Sequence, residues 1–184
     1  PGFTPFRQIV ASASVGTELF GTFPVRIGSL DGIRHTITPQ ATLSFQPDYS
    51  AFGFVKEVQA DSTGRTTQYA INSSIPTDPT RALSFSIQNA FVGRTVRTDS
   101  TGEEQSQTRQ LLSLSLNGGY NFAAESQPFR PVSARFTTTA YGFNANGGAS
   151  YSAYAIDTTG TLPTPLTYFE TSGRPLRLTN ASLN

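Results

Sequence analysis

Charge is scarce in this 184-residue chain: 14% of its residues are Asp, Glu, Lys or Arg, against about 25% in an ordinary soluble domain. Lys56 is its only lysine and the formal net charge is +1. With no basic run, nucleic acid is excluded as a partner class, because phosphate binding requires Lys and Arg clustered on one face. Cysteine is absent, which rules out disulfides and thiolate metal sites alike. His35 is the single histidine, so no two-histidine metal site can form and any Ser-His-Asp constellation would have to use it; a structural or surface place is expected for it. No apolar run approaches the ~20 residues of a membrane helix, and helical periodicity is nearly missing. The length fits one ordinary domain or a part of a larger one. The start at Pro1, with neither methionine nor a signal-like segment, reads as a processed or truncated protein.

What fills the polar positions is Ser, Thr, Asn, Gln and Gly, and what fills the apolar ones alternates with them. Leu112, Leu114, Leu116, Gly118, Tyr120 and Phe122 interleave with Ser113, Ser115, Asn117, Gly119 and Asn121. Leu83, Phe85, Ile87, Asn89 and Phe91 interleave with Ser84, Ser86, Gln88 and Ala90, continuing through Arg94, Val96 and Arg97. Period two of this kind predicts strands with one apolar and one small, polar face. Less regular candidates run from Val132 to Asn144 and from Gly148 to Ile156. Four tetrapeptides, Asp61-Ser62-Thr63-Gly64, Asp99-Ser100-Thr101-Gly102, Asp157-Thr158-Thr159-Gly160 and Glu170-Thr171-Ser172-Gly173, read as turns in which the carboxylate bonds amides ahead of it and Gly supplies a positive φ. Proline turns at Pro76 to Pro79 and Pro128 to Pro131, unsuited to a central strand, alternate with them and predict an up-and-down meander with two chemically different ends. Roughly eight to ten strands are expected, and the hairpin around residues 99 to 102 has arms of roughly 15 to 18 residues, longer than the ~9–11 that cross a bilayer.

Chemistry is hard to find in these motifs. The tetrapeptides are similar to the Asp-Thr-Gly of aspartic proteases, which pair two carboxylates, but an extra residue separates acid from glycine and hairpin chemistry already explains them. Glu103 and Glu104 follow a turn close to Arg97 and Arg109, which suits a solvated loop tip better than acid-base work. Gly118-Gly119 and Gly147-Gly148 lack the strand-to-helix context of a phosphate loop and read as bulges or close contacts in a sheet. Asn72-Ser73-Ser74 and Asn180-Ala181-Ser182 match the glycosylation pattern, relevant only to a eukaryotic secretory protein. The 14 Phe and 7 Tyr, set toward the ends of apolar ladders, suit either the interfacial girdles of an outer-membrane barrel or a sandwich core.

From Gly16 to Ser50 the chain reads GTELFGTFPVRIGSLDGIRHTITPQATLSFQPDYS. The order and spacing of Gly21-Thr22-Phe23, Arg34-His35, Pro39 and Pro47-Asp48-Tyr49 after the strand at Phe45 resemble the barrel domain of the lipopolysaccharide-assembly LptD (OstA) family, in the form associated with Bacteroidota. The resemblance extends through Asp61 to Gly64, Leu83 to Ser86, Gly119 to Ala123 and Gly173 to Leu183. It implies an all-β, antiparallel up-and-down transmembrane β-barrel, with residues 1–184 as one segment of a larger barrel in the bacterial outer membrane. It also implies a role in the translocon that receives lipopolysaccharide from periplasmic bridge proteins, works with a plug lipoprotein, and releases the lipid sideways into the outer leaflet among membrane lipids. No catalysis and no cofactor are expected. Gly21, Arg34, His35, Pro39, Pro47 and Asp48 are family-motif residues of structural role, the prolines interrupting ladder pairing locally. The end at Leu183-Asn184, without a terminal aromatic, predicts that a final strand is missing. Two rivals stand beside this reading: a secreted soluble β-sandwich binding glycan or protein, which requires a closed apolar core, and an outer-membrane channel of other cargo.

Overall fold

The computed structural model describes residues 7–60, 62, 64–72, 75–98, 100–140, 142–156 and 163–184. Asp61, Thr63, Ser73, Ser74, Asp99 and the whole 157–160 tetrapeptide lie outside them. Among the described residues the chain forms β1 (Ala11–Gly16), β2 (Leu19–Ile27), β3 (Leu30–Gln46), β4 (Val55–Gln59), β5 (Thr66–Ala70), β6 (Thr80–Thr98), β7 (Glu104–Asn121), β8 (Phe129–Ala140), β9 (Phe143–Ser152), β10 (Tyr154–Ile156), β11 (Pro163–Thr167), α1 (Tyr168–Ser172) and β12 (Arg177–Leu183). The protein is all-β and antiparallel. Its main sheet has the order β1-β3-β6-β7-β8-β9-β12, with β2 also paired to β3. β4–β5 and β10–β11 are separate two-stranded hairpins. The main sheet is open, with β1 and β2 at one edge, β12 at the other, and no closed barrel among the described residues.

The two expected long arms are present: β6 has 19 residues and β7 has 18. Their outer part, beyond the Leu30–Thr95 pairing with β3 and the Leu112–Thr138 pairing with β8, has no third strand in its ladder, and single bonds tie its base to the sheet, from the Val96 amide to the Ser29 carbonyl at 2.9 Å and from the Thr138 hydroxyl to the Leu111 carbonyl at 2.8 Å. Connections differ in length between the two ends of the sheet. One end, the turn end, carries the links at 28–29, 99–103 and 141–142; the other, the loop end, carries 47–79, 122–128 and 153–176. The expected chemical alternation of ends is therefore corrected. Ser62 and Gly64 lie between the strands of the β4–β5 hairpin, which arises from the loop end, while Thr101 and Gly102 lie at the turn end. Gly102, at φ 86°, supplies the predicted positive φ.

Glu170-Thr171-Ser172-Gly173 is not a hairpin turn. It belongs to α1, where the Glu170 carboxylate reaches backward to accept from the Thr167 amide at 2.7 Å while Thr167 Oγ1 accepts from the Glu170 amide at 3.2 Å. This reciprocal capping box starts the helix, and Gly173, at φ 70°, ends it. Glu170, fully exposed, is held below the usual carboxylate range by the Thr167 side chain and then its backbone.

Proline placement also departs from expectation, because Pro131 lies inside β8. Asn117 pairs with Ser133 and Gly119 with Arg130, so Pro131 and Val132 together face Gly118, a bulge that spares the donor proline lacks. Pro24 sits in a similar bulge of β2, between the Phe23–Ile33 and Arg26–Asp31 pairs.

Candidate functional site

The ladder registers sort the side chains of the whole sheet onto two surfaces. Residues paired across an antiparallel ladder share a face, so Pro39, Ile87, Leu116, Ala134, Ala149 and Ala181 form one apolar row across six strands. The neighbouring row on the opposite face is Gln40, Ser86, Asn117, Ser133, Ser150 and Asn180. Alternation thus holds over the width of the sheet, and bulges keep it in phase where the register shifts. Among the described residues no second layer packs on either face. Val15 is 71% exposed, Leu43 53%, Leu114 38% and Leu183 74%. The closed core that a sandwich requires is absent from the described residues.

The apolar face is smooth and bounded. Phe85 stands opposite Gly118 and Phe136 opposite Gly147; a Cβ at either glycine would lie 2.5 Å and 2.7 Å from the facing ring. Each ring therefore lies where only glycine leaves room. Toward the loop end the face becomes aromatic, with Tyr120 against Phe122 at 4.8 Å, against Phe129 edge-on at 4.9 Å, and Phe129 at 6.3 Å from Tyr154. The Phe129 amide donates to the Tyr154 hydroxyl at 2.6 Å. Toward the turn end the band thins at Gly93, which faces Arg109, and ends one row beyond with Leu30 and Ile27. Polar side chains interrupt the band at Thr138, which donates to the Leu111 carbonyl at 2.8 Å, and at a pair in which His35 stacks on Phe91 at 4.0 Å and 6°, with Nε2 3.2 Å from the Asn89 side-chain oxygen.

The six motif residues do not converge on one site. Gly21 pairs with His35, and Arg34, on the polar face, lies 4.6 Å over the Phe20 ring and 3.8 Å from Glu18. Pro39 faces the junction between β1 and β2. The Thr17 amide donates to the Pro39 carbonyl at 3.2 Å, but the return bond has no donor, and the edge strand is broken at Thr17-Glu18 although its register is kept. On its other side Pro39 leaves the β3–β6 pairing continuous. Pro47 follows the end of β3, and the Asp48 carboxylate accepts from the Ser50 amide at 2.8 Å; the Ser50 hydroxyl and amide hold it below the usual carboxylate range. Tyr49 anchors the small core of the loop end, Tyr49, Val55 and Ile75 with Phe54, Ala70 and Ile71 around them. Its hydroxyl accepts from the Ile9 amide at 2.8 Å and donates to the Ile9 carbonyl at 2.9 Å.

The LptD protein family model matches residues 1–154 of the 184. The chain belongs to the LptD family. No curated protein and no solved structure matches it. Membership gives this LptD-family chain a role in lipopolysaccharide transport and assembly, within a family of Gram-negative outer-membrane proteins and not of enzymes. The polar-face arginines Arg94, Arg130 and Arg135 escaped the sequence reading as candidates. For Arg94 and Arg135 the signal was parity alone, each being in phase with the Ser and Thr of its strand, whereas Arg130 reaches this face only through the bulge at Pro131 and Val132.

Proposed function

We propose that this sheet is a stretch of the wall of a transmembrane β-barrel in the lipopolysaccharide translocon, its apolar face toward lipid and its polar face toward the lumen. The observation that carries the reading is the uncovered apolar band. From the row of Leu83 to that of Gly93, where it thins, it spans about 34 Å along the strands at ~3.4 Å per residue, which a tilt of about 35–45° reduces to about 24–28 Å, the height of a lipid-facing band. The aromatic cluster at the loop end and Arg109 at the turn end occupy the two margins. Lipopolysaccharide then moves with its sugars along the polar face and its acyl chains leaving through a lateral opening. The edge strand broken opposite Pro39 supports an opening at a weakened ladder. Periplasmic bridge proteins and a plug lipoprotein complete the route.

Because the chain contributes no cysteine, single cysteines at Leu116 and Ser115 of the parent protein test the two faces directly. In outer membranes, Leu116→Cys reacts with a membrane-soluble maleimide and not a charged one, and Ser115→Cys reacts with the charged reagent. A parent protein released without detergent, with both positions equally reactive to the charged reagent, overturns the barrel in favour of the secreted binding module. A channel for other cargo gives the same labelling but no crosslink to lipopolysaccharide.

A further inference from the structure

We infer that the polar face carries an arginine track that holds the phosphate or carboxylate groups of a saccharide headgroup, an inference that rests on the lumenal reading of that face. Arg94 pairs with Thr108, Arg34 with Val92, Arg135 with Ser115 opposite Gln88, Arg130 with Gly119 opposite Ser84, and Arg177 with Ser152. The first four descend the face over about 34 Å at ~3.4 Å per residue. Five arginines thus share a surface whose acidic neighbours are Glu18 and, in the β3 bulge opposite Arg94, Asp31, in a chain whose net charge is only +1. The carboxylates Asp48, Asp78 and Glu125 lie outside the track, around a cavity at the loop end, and Asp31 is held by Arg26 at 3.3 Å.

Most of these guanidinium groups are uncommitted, Arg177 being the one that donates from Nε to a backbone carbonyl, that of Tyr154 at 3.3 Å. Arg94, Arg130 and Arg135 are exposed and form no ion pair among the described residues. The Arg34–Glu18 contact, at 3.8 Å, is near the limit of an ion pair and exposed, hence weak. Arg94 and Arg34 line a cavity of about 450 Å³ with Thr22, Thr36, Thr108 and Asp31, whose carboxylate is the one that Arg26 holds. Arg130 lines another of about 300 Å³ with Gln40, Ser86 and Asn117. A planar guanidinium grips phosphate or carboxylate through two parallel hydrogen bonds, and neighbouring hydroxyl and amide groups suit sugar hydroxyls. Phe20 supplies the feature that favours a saccharide over a phospholipid headgroup: it is 68% exposed on the polar face beside Arg34, a flat surface for a sugar ring.

The test uses the parent protein in outer membranes with a photoreactive phenylalanine at Thr36, on the track, and at Ile37, on the apolar face. In the otherwise unaltered protein, irradiation crosslinks lipopolysaccharide at Thr36. The yield falls about tenfold in Arg34→Gln/Arg94→Gln, the loss of roughly one charge-assisted contact, and falls likewise for dephosphorylated, decarboxylated lipopolysaccharide or at about 1 M salt, where the Debye length is about 3 Å. An unchanged yield under the salt and lipid treatments overturns the track and leaves the translocon reading standing; these need no substitution and decide the matter should the double variant not assemble. No crosslink at Thr36 in the unaltered protein overturns both.

Discussion

The main sheet and the loop end of this molecule are held together in different ways. In the sheet, backbone ladders run through up to 19 residues while leucines on the apolar face stay open, Leu43 at 53% and Leu183 at 74%. At the loop end, Tyr49, Val55 and Ile75 are each under 5% exposed and pack on one another. The loop cluster buries its own apolar surface and folds by the ordinary hydrophobic effect. The sheet leaves that surface for its surroundings to cover, and in the proposed barrel a bilayer does so without any second protein layer. One chain therefore carries two solvation rules, and the boundary between them runs through the aromatic cluster of Tyr120, Phe129 and Tyr154.

The largest effect is expected from exchanging the rules within the sheet. Leu116→Arg places a charge in the middle of the apolar band and destabilises the membrane-inserted fold by about 2–4 kcal/mol, whereas Ser113→Arg on the polar face changes stability by about 0.5 kcal/mol or less. Heat-shifted gel migration over a urea series measures both. Equal losses would erase the distinction between the faces.

Next in size is the fit of ring over glycine. Gly118→Val drives a branched side chain into the Phe85 ring, which already lies 2.5 Å from the position of a Cβ, and costs about 1–3 kcal/mol as overpacking does. Adding Phe85→Ala to it restores part of the loss, measured as a double-mutant cycle in the same urea series. Strictly additive losses would mean that the ring and the glycine do not meet.

Much of the sheet was legible because period two is a direct consequence of the pleat. The Leu112 to Phe122 ladder, the long arms around residues 99 to 102 and the glycine contacts at 118 and 147 follow from it. The turn chemistry misled at Glu170, where an acid three residues before a glycine suggested a hairpin. Thr167, three residues before Glu170, was the overlooked sign of a capping box. Pro131 was read as turn because proline lacks a donor, yet a bulge removes the need for one. The two-sided pattern shows in each strand, but the arginine track does not, since its members come from strands far apart in sequence and only register aligns them.

A third prediction sharpens the comparison from the loop side. Tyr49→Phe removes a hydroxyl that both accepts from and donates to Ile9 and costs about 1 kcal/mol. Faster amide exchange is expected at residues 8–10 with no change in the β6–β7 ladder. Equal acceleration in both places would show that sheet and loop cluster unfold as one unit.

The smallest effect is a titration confined to α1, outside the main sheet. The folded Glu170 carboxyl is held below its ordinary range by Thr167, so its contribution is present above the unfolded pKa and is lost as pH falls through the lowered folded one. Acid therefore unlocks the capping box without touching a carboxylate of the apolar band, since that band carries none in its paired rows. The Thr167 and Glu170 amide resonances shift together on acidification, and Glu170→Gln abolishes the shift at Thr167. A Thr167 shift that persists in the glutamine variant would assign the titration to another group and detach α1 from the capping bond that starts it.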